Sequence, residues 1–246
     1  MVGLHPVREL LRAGGELRAV HVSAGRDRSD VLDELLALAA ERTVPVREVE
    51  RDRIEELAEG LVHQGVVATA PPFPYASLDD VLRRARALDE LPLLVALDGV
   101  TDPHNLGSIA RTAEAVGAHG LVVPSRRAAG VTPTAEKAAA GALAHLPLVR
   151  VPNLVRALKD LQGVGVWSVG LDADAPQSLF DSSLLDEPVV LVVGSEGQGL
   201  ARLSQVACDS LVNLPMHGRI GSLNASVAAA VALYEILRRR NDTDGI

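Results

Sequence analysis

Two uninterrupted apolar runs, Leu93-Leu94-Val95-Ala96-Leu97 and Val189-Val190-Leu191-Val192-Val193, constrain the fold more than any other feature of the chain. A strand with one face in water alternates apolar and polar residues. A run that is apolar at every position has to be covered on both faces. Parallel sheets between helical layers meet that need, and the flanking sequence supplies the layers. Short β-branched runs at 17–22, 44–49, 65–70, 93–97, 120–123, 148–151, 164–169, 189–193 and 211–214 read as strands. Amphipathic stretches at 31–42, 77–88, 105–116, 133–142, 154–161 and 223–240 read as helices, the second of them capped by Ser77. The expected class is α/β.

The 246 residues suit one large domain or two small ones. Pro71-Pro72-Phe73-Pro74-Tyr75 cannot continue a helix or a central strand and marks a stiff linker. The expected division is an amino-terminal domain over 1–70, a linker and leading helix over 71–90, and a second domain over 91–246.

Composition narrows the functions. Aromatic residues make up 2%, which disfavours nucleic-acid binding by rows of stacked rings. Cys208 stands alone and the histidines show no paired-ligand spacing, so no disulfide framework and no metal site are expected. No apolar run reaches the roughly 18 residues of a membrane span, and the first residues lack the pattern of a secretory leader. The expectation is a cytoplasmic protein away from membranes. The net charge of −8 counts against non-specific grip on phosphates but leaves room for a local basic patch. Arg126-Arg127 and Arg238-Arg239-Arg240 are the dense basic clusters of the second half, and the triplet reads as cations favoured at a helix C-terminus.

Three segments place glycine and polar residues directly after expected strands, where open α/β sheets bind ligands. The first runs from Asp98 to Arg111 and contains Asn105 at the head of a helix. By spacing alone Asn105 there reads better as a helix cap, and Arg111 as a solvated helix arginine. The second is Gly194-Ser195-Glu196-Gly197-Gln198-Gly199. Its G-x-x-G-x-G order is neither a dinucleotide fingerprint nor a P-loop, and a plain turn with an exposed Glu196 fits it as well as a ligand loop. The third runs from Asn213 to Ser226 and holds Leu214, Met216, Ser222, Leu223 and Asn224. Ser222 reads as a cap, whereas Asn224 in a first helical turn is harder to dismiss. No nucleophile elbow is present, and Cys208 has no evident partner.

Together, the D-G-V-x-D-P-x-N-x-G-x-x-x-R, G-S-E-G and L-P-M…S-L-N-x-S-V stretches resemble, in order and spacing, the three motifs of the SpoU-type (TrmH-like) RNA ribose 2′-O-methyltransferases. The likeness runs from about residue 93 to 240. Gly3-Leu4-His5-Pro6-Val7 and His63-Gln64-Gly65-Val66 are similar to the amino-terminal domain of a subgroup that methylates a guanosine in the peptidyl-transferase region of 23S rRNA. The resemblance implies an α/β trefoil-knot (SPOUT) catalytic domain, one of the rare knotted connections, behind a small ribosomal-protein-like RNA-binding domain. It implies S-adenosylmethionine held bent in the knot loops, no metal, a homodimer with sites completed across the interface, and RNA as partner. Carried over by motif, Gly194, Gly197, Leu214, Met216 and Leu223 are cofactor-binding, and Asn105, Arg111, Glu196, Ser222 and Asn224 are catalytic or substrate-contacting. Arg111 is expected to position and stabilise charge, since a guanidinium is a poor base. Arg8, Arg12, Arg26 and Arg28 are the expected RNA grip of the first domain. The same chemistry on tRNA, a resistance-conferring rRNA site, a non-catalytic RNA-binding assembly factor and a small-molecule-binding α/β protein stand as alternatives.

Overall fold

The computed structural model describes residues 2–243 except 13, 15, 59, 61, 72 and 220, with the backbone alone for 242 and 243. Pro72 of the proline-rich break and Ile220 of the third segment therefore lie outside the described residues. The chain divides into two compact units, Met1–Phe73 and Pro74–Ile246.

The first unit comprises α1 (Leu4–Arg12), β1 (Ala19–Ser23), α2 (Asp30–Glu41), β2 (Val46–Val49), α3 (Arg51–Ala58) and β3 (Val66–Thr69). Its sheet has the order β2-β1-β3, with β1 parallel to β2 and antiparallel to β3. Leu4, Val7 and Leu11 recur on one face of α1 and pack with Val20, Leu32, Leu35 and Val66 in a single core. The sequence reading holds neither α1 nor α3. The first carries Pro6 in its opening turn, and the second buries only Ile54 and Ala58, too few for a helical period to show. Of the expected RNA grip, Arg8 and Arg12 are each paired with Glu34 and with Glu9. Arg26 lies over Gly65, where a Cβ would stand 2.9 Å from its Nη1.

The second unit comprises α4 (Leu78–Ala87), β4 (Leu93–Asp98), α5 (Pro103–Ala115), β5 (Gly120–Pro124), α6 (Pro133–Ala139), β6 (Leu148–Val151), α7 (Leu154–Gln162), β7 (Trp167–Leu171), β8 (Gln177–Ser178), β9 (Val189–Gly194), α8 (Arg202–Ala207), β10 (Ser210–Asn213) and α9 (Ala225–Thr243). Every recorded pairing in its sheet is parallel, and the order is β6-β5-β4-β9-β7-β10-β8. The two apolar runs are the neighbours β4 and β9, buried along their whole length. Leu94, Ala96, Val190 and Val192 face a core shared with α4 and α7. Helices α5 and α9 pack together, and α9 packs on β9. The order twice sets a later strand between two earlier ones, β9 between β4 and β7 and β10 between β7 and β8. Such insertion is what the expected knot demands of a parallel sheet. Because the strands run parallel, the ends of β4, β9, β7 and β10 all open on one edge.

Boundaries moved where capping overrode periodicity. Helix α5 starts at Pro103, and Asp102 caps it by accepting from the His104 amide. Asn105 is thus an internal residue, not the cap, and is 3% exposed. Helix α9 starts at Ala225 rather than 223, and Asn224 Oδ1 accepts from Ser226 N (2.9 Å), Ser226 Oγ (2.6 Å) and Val227 N (3.3 Å). Asn224, not Ser222, supplies that cap.

The arginine triplet also differs from its expected role. Arg240 donates to the Leu91, Pro92 and Glu187 carbonyls at 2.7, 3.1 and 2.7 Å, and Arg239 donates to Ser182 O at 2.8 Å. These bonds tie α9 to the segments that enter β4 and β9, so Arg239 and Arg240 form a specific clamp, while Arg238 pairs with Glu235 on its own helix. Arg240→Ala strands the Leu91 and Glu187 carbonyls, while Pro92 O keeps the Val189 amide, and is expected to cost about 3 kcal/mol, since hydrogen bonds from a charged donor are worth about 1.5–3 kcal/mol. Denaturant unfolding measures it, and a change within about 0.5 kcal/mol, ordinary for a surface substitution, counts against the clamp.

Candidate active site

Asp98 at the end of β4 is the register partner of Gly194 at the end of β9, so the first two segments leave the sheet side by side. Asp98 Oδ2 accepts from Ala201 N at 2.7 Å and draws the far end of the second loop back to the first. Within that loop Ser195 and Gly199 exchange two backbone bonds, 3.0 and 2.9 Å, pinching Glu196-Gly197-Gln198 into a tight turn. The turn needs the left-handed backbone of Gly197 (φ 77°) and Gly199 (φ 64°), which glycine adopts without strain. Its base needs Gly194 for a different reason. A Cβ there would lie 2.2 Å from Gly199 C, 2.4 Å from Gly199 O and 2.5 Å from Leu200 N.

The turn projects Glu196 toward the helix starts of α5 and α9. Asn105 Nδ2 donates to Glu196 Oε1 at 3.1 Å, and Asn224 Nδ2 donates to Asn105 Oδ1 at 3.0 Å. Asn224 Nδ2 also donates to Glu196 Oε1. One polar triangle therefore joins one residue from each of the three segments. Asn105 is held in it by burial and Asn224 by its cap, so the carboxylate meets fixed donors. Glu196 Oε2 has no protein partner among the described residues.

Beside the triangle lies a cavity of about 240 Å³. Gly194, Gly197, Leu214, Met216 and Leu223 all line it, and so does Ser222, which makes no hydrogen bond among the described residues. Leu171, Val193, Leu214, Met216 and Leu223 give it an apolar wall suited to a flat heteroaromatic ring. Asp172, Asp174 and Glu196 are its charged lining residues, and no Lys or Arg joins them among the described residues. Such a lining favours a cation and disfavours a phosphate, by the sign of the field alone. Asp172 and Asp174 escaped the sequence reading because β7 runs to Leu171, past the expected end at 169.

Arg111 is not brought to this place. It is exposed on α5, lines no part of the cavity and has no hydrogen-bond or ion-pair partner among the described residues. Cys208 is no nucleophile: burial first, then Asp209 and Asp98, push its thiol up to about 12. Among the described residues there is no group of three or more His, Cys, Asp or Glu able to hold a metal, and no helix long and apolar enough to cross a membrane.

The geometry has clear counterparts. Residues 92–234 match the model of the SpoU rRNA Methylase family, and residues 1–76 match the model described as RNA 2′-O ribose methyltransferase substrate binding. A Bacillus subtilis protein named for the TrmH family of tRNA/rRNA methyltransferases is 42% identical over 241 residues, covering 98% of this chain and 96% of its own length. The crystal structure of the SpoU methyltransferase AviRb from Streptomyces viridochromogenes with AdoMet has a TM-score of 0.64 at 30% identity, over 98% of this chain and 90% of that one. The TrmH/SpoU tRNA modifying enzyme of A. aeolicus has a TM-score of 0.58 at 28% identity, over 67% of this chain and 86% of that one. The α/β architecture with an amino-terminal substrate-binding unit is the SPOUT methyltransferase fold.

Proposed function

The chain belongs to the SpoU rRNA methylase family of RNA methyltransferases, and from that premise we propose that it methylates a ribose 2′-hydroxyl, with a guanosine of 23S rRNA as its target. The observation that carries the reading is the Asn105–Glu196–Asn224 triangle at the mouth of an acidic, apolar-walled cavity. S-adenosylmethionine fits that cavity as a flat adenine on a cationic sulfonium, and when bound it supplies an electrophilic methyl that needs no metal. Leu171, Leu214, Met216 and Leu223 would hold the adenosine, with the backbone of the 194–199 loop beside it.

A ribose hydroxyl is a weak nucleophile at neutral pH, so its proton needs an acceptor as it attacks. Glu196 Oε2 is the acceptor left open by the triangle, while Oε1 is pinned by two amide donors. In-line placement supplies much of the remaining rate. Ser222 and Asn224 border the same mouth and hold the ribose.

Arg111 enters from a second copy of the chain. Its side chain is free on α5, and α9 leaves Val227, Val231 and Tyr234 exposed at 47%, 39% and 55% in one helical stripe suited to a partner. The homodimer then completes each site with the other chain's Arg111, which stabilises charge near the reacting oxygen. Arg111→Ala is expected to lose turnover and keep cofactor binding. Mixing it with Glu196→Ala tests the sharing. With both defects segregated to one site, about half the dimers carry one intact site and about a quarter of the activity returns. No recovery on mixing, with mixed dimers demonstrated, places Arg111 and Glu196 in one chain's site and rejects the sharing.

The first unit supports RNA choice. Arg8, Arg12, Arg26 and Arg28 are its expected grip, with Arg28 3.8 Å from Asp33. The rRNA target is favoured by the two-unit layout, since the tRNA modifying enzyme matches 67% of this chain, roughly the share of the second unit. Label from S-adenosylmethionine is expected in unmodified 23S rRNA, in the cytoplasmic fraction where ribosomes assemble. Label confined to tRNA overturns the target.

A further inference from the structure

A second cavity, of about 720 Å³, opens on the other side of the Glu196 loop and shares Ser195, Glu196, Gln198 and Gly199 with the first. Its character is different. Arg126 and Arg127 line it, with Asn153 and Thr101 for hydrogen bonding and Leu154 and Leu203 as apolar surface. Both arginines are exposed, and neither has a hydrogen-bond or ion-pair partner among the described residues. Several other arginines of this unit are engaged elsewhere. Arg83 and Arg156 are paired with Asp80 and Asp160, and Arg239 and Arg240 are spent on the clamp.

The arginine loop is also built rather than loose. Ser125 N donates to Val151 O at 2.8 Å, Arg150 Nη2 donates to Ser125 O at 3.2 Å, and Ala129 N donates to Val100 O at 2.8 Å. The last bond fixes the loop to the first segment of the site. Arg127 itself has φ 56°, a left-handed backbone uncommon for a residue other than glycine. A net charge of −8 makes two unpaired cations facing a groove a local exception that an anion can use.

We propose that this second cavity binds the nucleotide unit next to the methylated ribose, with Arg126 and Arg127 on its phosphate and Leu154 and Leu203 against its base. The inference rests on the methyltransferase reading above and gives it a substrate subsite. The first cavity is acidic, suited to the cationic methyl donor; the second sets Arg126 and Arg127 opposite Asp98 and Glu196, so its cations stand on the arginine-loop side, where the RNA backbone would pass. Glu196 stands on the wall between them, where the reacting ribose has to sit.

The test is the full-length chain carrying Arg126→Gln and Arg127→Asn, the asparagine chosen because it tolerates the left-handed backbone. RNA binding and methyl transfer are measured from low to moderate salt, with S-adenosylmethionine affinity as the folding control. The expected result is a KM for RNA raised at least about tenfold and a salt slope of log K reduced by about 0.7, the value for one phosphate of a single strand. Cofactor affinity stays at its wild-type value, and the Arg126→Lys, Arg127→Lys pair recovers most of the slope. Wild-type slope and KM in the double variant overturn the subsite while leaving the activity standing. A wild-type chain that methylates no RNA overturns the activity and the subsite with it. A KM effect from a free mononucleotide competing equally with RNA, in wild type and double variant alike, also overturns it, because the site would then read no arginine contact.

Discussion

A Gly194→Ala chain loses S-adenosylmethionine binding and much of its stability. The added Cβ meets backbone, Gly199 C at 2.2 Å and Leu200 N at 2.5 Å, so no rotamer change relieves it. The obstructing strand is itself fixed by the paired Ser195–Gly199 bonds and by Asp98 on Ala201. Overpacking a tight site costs about 1–3 kcal/mol and more when backbone has to move, and the expected loss is about 3 kcal/mol or above. Displacing the loop also displaces the cavity wall, so cofactor affinity falls by more than about a hundredfold, equivalent to roughly 2.7 kcal/mol. Gly197→Ala is the contrast. Its Cβ meets nothing within 4 Å, and only the left-handed backbone is penalised, at about 1–2 kcal/mol. Calorimetric titration and denaturant unfolding of both variants decide the matter. Tight cofactor binding by Gly194→Ala shows that this loop is not the cradle.

Removing the Glu196 carboxylate is expected to lower kcat about a thousandfold, within the range of about 10²–10⁴ for a proton acceptor. The residue is exposed on a turn, so stability barely changes. Its loss of charge weakens cofactor affinity by less than about tenfold, or 1.4 kcal/mol. Glu196→Gln separates two roles that Glu196→Ala confounds. The glutamine oxygen still accepts from Asn224, so a carboxylate that merely aligns the two asparagines is replaced with little loss of kcat. A carboxylate that takes the ribose proton is not, and Gln then falls as far as Ala. Single-turnover rates at saturating cofactor distinguish the outcomes.

The sequence carried the second unit better than the first. Runs such as Leu93–Leu97 and Val189–Val193 are legible because burial on both faces removes every polar interruption, and the central pair β4 and β9 is the result. The helices α1, α3 and α8 left no such trace, being short, with α8 burying only Ser204. Strand order was invisible, since nothing local distinguishes β9 beside β4 from β9 beside its chain neighbour β8. In the site, Asn105 and Ser222 read as caps, yet Asp102 and Asn224 supply those caps. The meeting of Asn105 and Asn224 with Glu196 spans 91 and 28 residues of separation, a relation that spacing alone does not contain. Asp172 and Asp174 went unremarked because a carboxylate after a strand reads as solvated until the sheet edge gathers it.

The central claim is that the three loops at the sheet's carboxyl edge direct a methyl group to a ribose oxygen. The most direct measurement is alkaline hydrolysis of unmodified rRNA after incubation with the chain and methyl-labelled S-adenosylmethionine. Alkali cleaves RNA through the free 2′-hydroxyl, so a methylated ribose protects the bond that follows it. The account predicts label in an alkali-resistant dinucleotide that is absent with Glu196→Ala. Label released entirely as a mononucleotide places the methyl on a base and contradicts it.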